Sequence, residues 1–344
     1  MPDSKMYTEI RDQPAVLDRI LDEGWPEVRV ASRDLRESRI QSAMIAARGT
    51  SDNAALYAKY LFEILLGLPT ALASPSTFTL YKSKMNLEKV MVVGLSQSGE
   101  SQDILETVRR SSELGASTLA VTNNEGSPIA EAAQHHLFLR AGKEESVAAT
   151  KTYGAELLML YLLASALKGE ETLSNEVRGL PELLREVLEA SWEGIGRYRY
   201  AEYMVVTSRG YNLPTAKEAA LKLMETAYVV AQAFSSADLR HGPIAMIGQD
   251  FPVIVIAPSG RIQEDLHFLV DGLKDRGAEF VAVSDDNTIL NKASARFEVQ
   301  VRCPDELSPI LYAVPIQLFA ENLARLKGLN PDSPRGLSKI TKTW

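Results

Sequence analysis

Three stretches of this sequence carry side chains suited to chemistry. The first is Ser96-Gln97-Ser98-Gly99-Glu100-Ser101, between an apolar run at residues 90–95 and a segment of helical period. Serine hydroxyls, a glutamine amide and free backbone amides at a helix start form a cradle for a dianionic phosphate. Gly49-Thr50-Ser51, after another apolar run, offers similar groups. A plain helix cap would also use serine. No Gly-Lys-Ser/Thr follows, and the Gly-x-Gly-x-x-Gly of dinucleotide folds is missing.

The second stretch is a helix that Asn212-Leu213-Pro214 opens and that helical spacing extends to about Ala233. At 100° per residue, Glu218, Lys222 and Glu225 share an arc of roughly 60°. Two carboxylates flanking an amine can move protons, but Glu218 and Lys222 also form the favoured surface pair at i,i+4. The third is Arg240-His241-Gly242-Pro243. Imidazole is suited to proton transfer near neutral pH, although a histidine before Gly-Pro also serves an ordinary turn.

The elements that must position these groups are written twice, at an offset of about 161 residues. The apolar runs before Arg48-Gly49, at residues 90–94 and after Gly115-Ala116 return before Arg209-Gly210, at residues 253–257 and after Gly277-Ala278. A period this long marks duplicated domains rather than a solenoid. Each copy alternates apolar strands with helical segments, such as residues 102–114 with Ile104, Leu105, Val108 and Leu114. That alternation predicts α/β domains with parallel sheets, whose ligands lie beyond the carboxyl ends of the strands. Duplicated domains share what the fold needs, so their differences point to function. Ser96, Gln97, Ser98 and Ser101 face Ala257, Pro258, Ser259 and Ile262. Conversely, Glu218, Lys222, Glu225 and His241 face Tyr57, Leu61, Ile64 and Leu80.

Composition narrows the classes. The chain has 344 residues, 45% apolar, and a net charge of −8, which argues against general nucleic-acid binding. The longest oily stretch, residues 157–167, is too short to span a bilayer, and the start lacks a secretory signal. One cysteine, Cys303 at the end of a strand expected over residues 297–302, and four histidines give no disulfide and no metal-ligand spacing. The expectation is a cytoplasmic protein without metal or cofactor. Its segments would be a helical stretch at 1–38, domains at 39–168 and 198–329, a helical connector at 169–197, and a tail at 330–344.

Six ordered motifs resemble one family. Gly49-Thr50-Ser51, Ser96 to Glu100, Ala148-Ala149-Thr150-Lys151, Glu218 to Glu225, Arg240 to Pro243 and Asp332 to Lys339 match the sugar isomerase (SIS) domains. Such domains form the isomerase module of glucosamine-6-phosphate synthases and the stand-alone SIS-type glucosamine-6-phosphate deaminases. The resemblance implies two tandem SIS domains, flavodoxin-like α/β/α sandwiches of three layers. It implies that Ser51, Ser96, Gln97, Ser98 and Ser101 hold the phosphate of a sugar phosphate. It makes His241 the ring-opening group, reaching across a homodimer, and Glu225 the proton carrier, with Glu218 and Lys222 beside it. Lys339 would meet the open-chain carbonyl as an amine. Arg335 would close a C-terminal lid anchored by Leu337, Ile340 and Trp344.

Departures from the family pattern refine the expectation. Arg48 stands where the synthases have cysteine and Ala149 where they often have serine, so the sugar pocket rim formed with Gly49 and Thr50 differs. No segment matches the glutaminase domain, which makes glutamine-dependent synthesis improbable. The implied activity is that of a glucosamine-6-phosphate deaminase/isomerase, releasing ammonia and leaving fructose 6-phosphate. Two alternatives are a deglycase cleaving a phosphorylated fructose–amine adduct and a non-catalytic sugar-phosphate sensor. A DNA-binding sensor would carry a basic helix-turn-helix module, and residues 1–38 are too few and too mixed in charge for one.

Overall fold

The apolar runs that the sequence repeats become strands in the computed structural model, which describes residues 3–339. Ile340 and Trp344, expected as lid anchors, lie outside the described residues. The chain opens on helices α1 (Lys5–Arg11) and α2 (Gln13–Arg19), a π-helical turn at Ile20–Gly24, and α3 (Trp25–Glu37). The first repeat then runs β1 (Ser42–Ala46), α4 (Gly49–Leu65), β2 (Thr70–Leu72), α5 (Pro75–Thr79), β3 (Val90–Ser96), α6 (Gln102–Glu113), β4 (Ser117–Thr122), α7 (Pro128–Ala132), β5 (His135–Phe138) and α8 (Lys151–Lys168). Two short helices, α9 (Asn175–Arg178) and α10 (Leu180–Glu189), lead to the second repeat. It runs β6 (Tyr203–Ser208), α11 (Leu213–Thr226), β7 (Val230–Ser235), α12 (Ser236–Arg240), β8 (Pro252–Ala257), α13 (Gln263–Asp275), β9 (Glu279–Ser284), α14 (Asn287–Leu290), β10 (Ala295–Glu298) and α15 (Ser308–Leu326).

Each repeat forms a five-stranded sheet, in the orders β2-β1-β3-β4-β5 and β7-β6-β8-β9-β10. Every pairing within them is parallel. The two orders are the same order, and β3 and β8 take equivalent central places, as the repeat predicts. Helices on both faces cover the strands, which explains why β3 and β8 read as nearly unbroken apolar runs. The amphipathic α6 buries Ile104, Leu105 and Val108 against β3 and β4, with Ala120 and Ile129 in the same cluster. The oily stretch at 157–167 belongs to α8, a core helix packed against α3 and α4 with nearly every side chain buried. Among the described residues no helix is long and apolar enough to cross a membrane.

The chain divides into two compact bodies. The first contains residues 15–144, 151–178 and 337–339, and the second residues 3–14, 145–150 and 179–336. The helical stretch expected at 1–38 thus divides after Pro14, and the connector expected at 169–197 divides after Arg178.

Two expected elements are corrected. The helix opened at Asn212 ends at Thr226 rather than near Ala233. Tyr228 takes a left-handed φ of 53°, and the β-branched pair Val229-Val230 leads into the edge strand β7, which pairs with β6 along its length. Likewise, residues 299–302 lie outside the sheet, since β10 ends at Glu298.

The tail is fastened by polar contacts as far as it is described. Asp332 Oδ2 and Oδ1 accept the amides of Lys5 and Met6, each at 2.8 Å, at the start of α1. Leu337, expected as a buried anchor, is 46% exposed, and the residues near it in sequence, Arg335 and Lys339, are held by polar partners instead. Replacing Asp332 with Ala should cost about 1 kcal/mol, the usual loss of a helix cap. Denaturant unfolding measures it, and an unchanged midpoint would show that the Ser4 hydroxyl, which accepts the Tyr7 amide, caps α1 by itself.

Candidate functional site

The direction of chain progression in the first sheet reverses between β1 and β3, so the crevice beyond their carboxyl ends is the expected ligand position. Two helices start there, α4 at Gly49 and α6 at Gln102, with their amide-rich ends in the crevice. Ser96, Gln97, Ser98 and Ser101 lie on the turn between β3 and α6. Ser96 is buried, and the other three are half-buried. Ser96 Oγ accepts the Gly99 amide and Ser98 Oγ accepts the Glu100 amide, both at 3.2 Å. Each hydroxyl thereby keeps its own proton to donate. Ser101 is the N-cap residue of α6, yet its side chain makes no capping hydrogen bond. A simple cap is therefore not what this serine does. Gly99 has φ +69°, and a Cβ there would lie 2.1 Å from Ser127 Oγ, so only glycine lets the turn close.

Beyond β1, Gly49 is exposed, Thr50 half-buried and Ser51 buried. Ser51 Oγ donates to the buried Glu156 Oε1 at 2.7 Å. Arg48 Nε donates to Asp103 Oδ2 at 2.7 Å. The second repeat has the same pair, Arg209 to Asp265 at 2.7 Å. A feature kept in both copies belongs to the fold, so Arg48 ties the end of β1 to α6.

The equivalent turn of the second repeat is filled from within. The Ser259 amide donates to Asp285 Oδ1 at 2.6 Å and the Arg261 amide to Asp305 Oδ2 at 3.2 Å. A Cβ on Gly260 would lie 2.0 Å from Asp305 Oδ1, so this carboxylate rests against the turn. In the second repeat carboxylates from elsewhere in the chain meet the turn, whereas in the first the Gly99 and Glu100 amides go to the turn's own serines. Cys303, beside this turn, has its thiol pushed up to about 12 by burial and by Glu306, Asp285 and Asp305, which makes it inert near neutral pH.

In the second body, α11 packs against β6, β7 and α15 and carries Glu218, Lys222 and Glu225 on one face. The side chains of Glu218 and Lys222 are 0% exposed and that of Glu225 is 24% exposed, which removes the surface-pair reading. Lys222 Nζ lies 3.3 Å from Glu218 Oε1 and 2.6 Å from Glu225 Oε2. Burial works against the Lys222 charge, but the two carboxylates outweigh it and hold its pKa above the ordinary lysine value. Lys222 is a fixed cation, and Glu225 is the member of the trio that reaches solvent.

His241 is exposed just past α12, the place Leu80 takes past α5. No hydrogen bond or ion pair joins it to the α11 trio among the described residues. Ala149 is half-buried in segment 145–150 of the second body, where Gln317 Nε2 donates to the Thr150 carbonyl at 3.2 Å. The Arg335 amide donates to the Tyr228 hydroxyl at 2.8 Å, and its guanidinium stacks 4.4 Å from the Tyr228 ring centre. Lys339, in the first body, is ion-paired with the buried Glu144 at 2.7 Å. Glu144, Glu156, Asp285 and Asp305 were not singled out in the sequence. The loop carboxylates have no periodicity that could mark them, and Glu156 lies hidden in an apolar helix.

The SIS domain model matches residues 35–166 and 198–326. A glutamine–fructose-6-phosphate aminotransferase (isomerizing) from Methanothermobacter thermautotrophicus is 34% identical, covering 98% of this chain and 57% of that protein. The chain therefore spans little more than half the length of this curated relative. A provisionally named phosphosugar isomerase from Silicibacter pomeroyi DSS-3 superposes with a TM-score of 0.88 at 29% identity, over 96% of this chain and 100% of that one. A glucosamine-6-phosphate deaminase structure from Thermotoga maritima has the same fold, with a TM-score of 0.79 at 23% identity over 99% and 100% of the two chains.

The contrast between the two turns generates a measurable difference. A hydrogen bond to a charged group contributes roughly 1.5–3 kcal/mol, so Ser98→Ala should weaken inorganic phosphate binding about tenfold or more. Ser259→Ala should leave binding unchanged. Calorimetric titration of both variants checks this, and equal losses would mean that the turns are not functionally different.

Proposed function

The chain belongs to the SIS-domain family, and from that premise we propose that it is a glucosamine-6-phosphate deaminase/isomerase. One observation carries the reading: in the turn after β3 Ser96 and Ser98 accept from their own loop and keep their hydroxyl protons, whereas the turn after β8 meets Asp285 and Asp305. A single sugar phosphate per chain follows from that difference, held by Ser96, Gln97, Ser98 and Ser101 at the start of α6. Ser51 joins them once its proton turns from Glu156.

His241 opens the sugar ring, acting from a partner subunit in a homodimer. Glu225 takes the proton from C2 of the open-chain aminosugar and returns it to C1. Its solvent contact and the adjoining Lys222 cation suit a carboxylate that must shuttle a proton without drifting. The product of that transfer is an imine at C2. Water adds there and ammonia leaves, so glucosamine 6-phosphate and one water give fructose 6-phosphate and ammonia. Lys339 meets the open-chain carbonyl as an amine, an exchange that forms one imine and releases one water.

A second reading runs the same chemistry backwards, aminating fructose 6-phosphate. The name of the curated relative favours it.

Incubation with glucosamine 6-phosphate, with ammonia and fructose 6-phosphate both measured, tests the first reading. Incubation with fructose 6-phosphate and ammonium tests the second. Absence of product in both directions would leave neither standing. Glu225→Gln keeps the shape and removes the base, so turnover should fall about 10²–10⁴-fold with little change in KM. Undiminished turnover in that variant would return the trio to a structural role.

A further inference from the structure

We infer that Glu144 is a positioning residue for Lys339, a buried carboxylate that latches the tail amine onto the body carrying the phosphate turn. The inference rests on the reading of Lys339 as the amine that meets the sugar carbonyl.

The geometry is that of a docking point. The Glu144 side chain is 0% exposed, while that of Lys339 is 26% exposed, so the amine comes in from solvent to reach a carboxylate already in place. Glu144 Oε1 accepts the Thr152 amide at 3.2 Å, and Oε2 accepts the Thr152 hydroxyl at 2.8 Å. Thr152 is the second residue of the 18-residue α8, so the carboxylate also lies at the positive end of a long helix. Those two donors fix its rotamer before any lysine arrives. Oε2 then takes Lys339 Nζ at 2.7 Å, the length of a charge-assisted hydrogen bond. A buried carboxylate that serves only as a helix cap has no need of a cation brought 195 residues along the chain. A flexible lysine held at its charged end by such a group loses its freedom to wander but can still leave it. That is what an amine needs if it must be near a carbonyl yet leave its partner to react.

The competing account is that Glu144 caps α8 and meets Lys339 incidentally. Two readouts separate them in the intact 344-residue chain. Pulse labelling with acetic anhydride at neutral pH reports access to the Lys339 amine, read by peptide mass against the exposed Lys84. Glu144→Gln keeps an oxygen for the Thr152 amide, puts an NH2 that can donate to the Thr152 hydroxyl in place of Oε2, and removes the ionic latch. It should raise Lys339 acetylation about tenfold, as loss of one charge-assisted hydrogen bond implies. Glu144→Asp should return part of the protection, and affinity for inorganic phosphate should stay as in the parent protein. Borohydride reduction with fructose 6-phosphate present should leave a sugar adduct on Lys339 of the parent, and less of it in Glu144→Gln. The opposite signs, more bulk acetylation and less sugar adduct, are the signature of lost positioning. Unchanged acetylation in Glu144→Gln overturns the latch, and so does a parallel loss of phosphate affinity, which would mean a loosened helix cap. A parent protein that gives no adduct instead removes the lysine from the proposed reaction, while acetylation still decides the latch.

Discussion

A helix begins with backbone amides that have no acceptor in the helix itself, and each such start must be answered by a side chain, water or a ligand. The main functional distinctions in this molecule follow from how that demand is met. At α1 the answer is Asp332, carried by the tail. At α8 it is Glu144, whose second task is Lys339. Before α13 it is the pair Asp285 and Asp305. Before α6 the serines turn inward on their own loop, and Asp103, the carboxylate at that helix start, is engaged by the Ile104 amide and by Arg48. One fold thus contains a turn closed on its own serines and a counterpart met by two carboxylates, and a few loop residues decide which is which.

The α11 trio follows a different economy. Removing an ammonium and a carboxylate from water is expensive, and one carboxylate rarely offsets the cost of a fully buried lysine. Here Glu218 and Glu225 flank Lys222, so the cation is held twice while the outer carboxylate keeps contact with solvent. The arrangement fixes a positive charge beside a carboxylate that stays accessible. Packing of α11 on two strands and α15 supplies the rigidity that such a placement needs.

Much of this architecture was legible in the residues. Apolar runs at one offset predicted two equivalent parallel sheets, and β3 and β8 occupy the expected places. The serine turn lies beyond the carboxyl end of a strand, as its position after an apolar run implied, while the reversal of strand order at that place is visible only in the fold. The reading failed where spacing is ambiguous. Val230 and Ala231 continue a helical period from Leu223, but a left-handed Tyr228 breaks the helix, and edge pairing with β6 takes over. Burial of Lys222 was invisible too, because Glu218 and Lys222 at i,i+4 look the same on a surface and in a core. Carboxylates that act at a distance in sequence, such as Glu144 on Lys339, leave no local trace at all.

That separation has a consequence for the order in which the molecule is made. The serine turn and Glu144 leave the ribosome before the second repeat, whereas Lys339 emerges only after all of it. Closing so long a loop adds little entropy beyond a shorter one, since each doubling costs only about 0.6 kcal/mol, so the late arrival is thermodynamically cheap. A nascent chain halted between the repeats would carry the serine turn and Glu144 and lack Lys339, so under the proposed function binding competence and reactive competence would be successive events in the life of a single polypeptide.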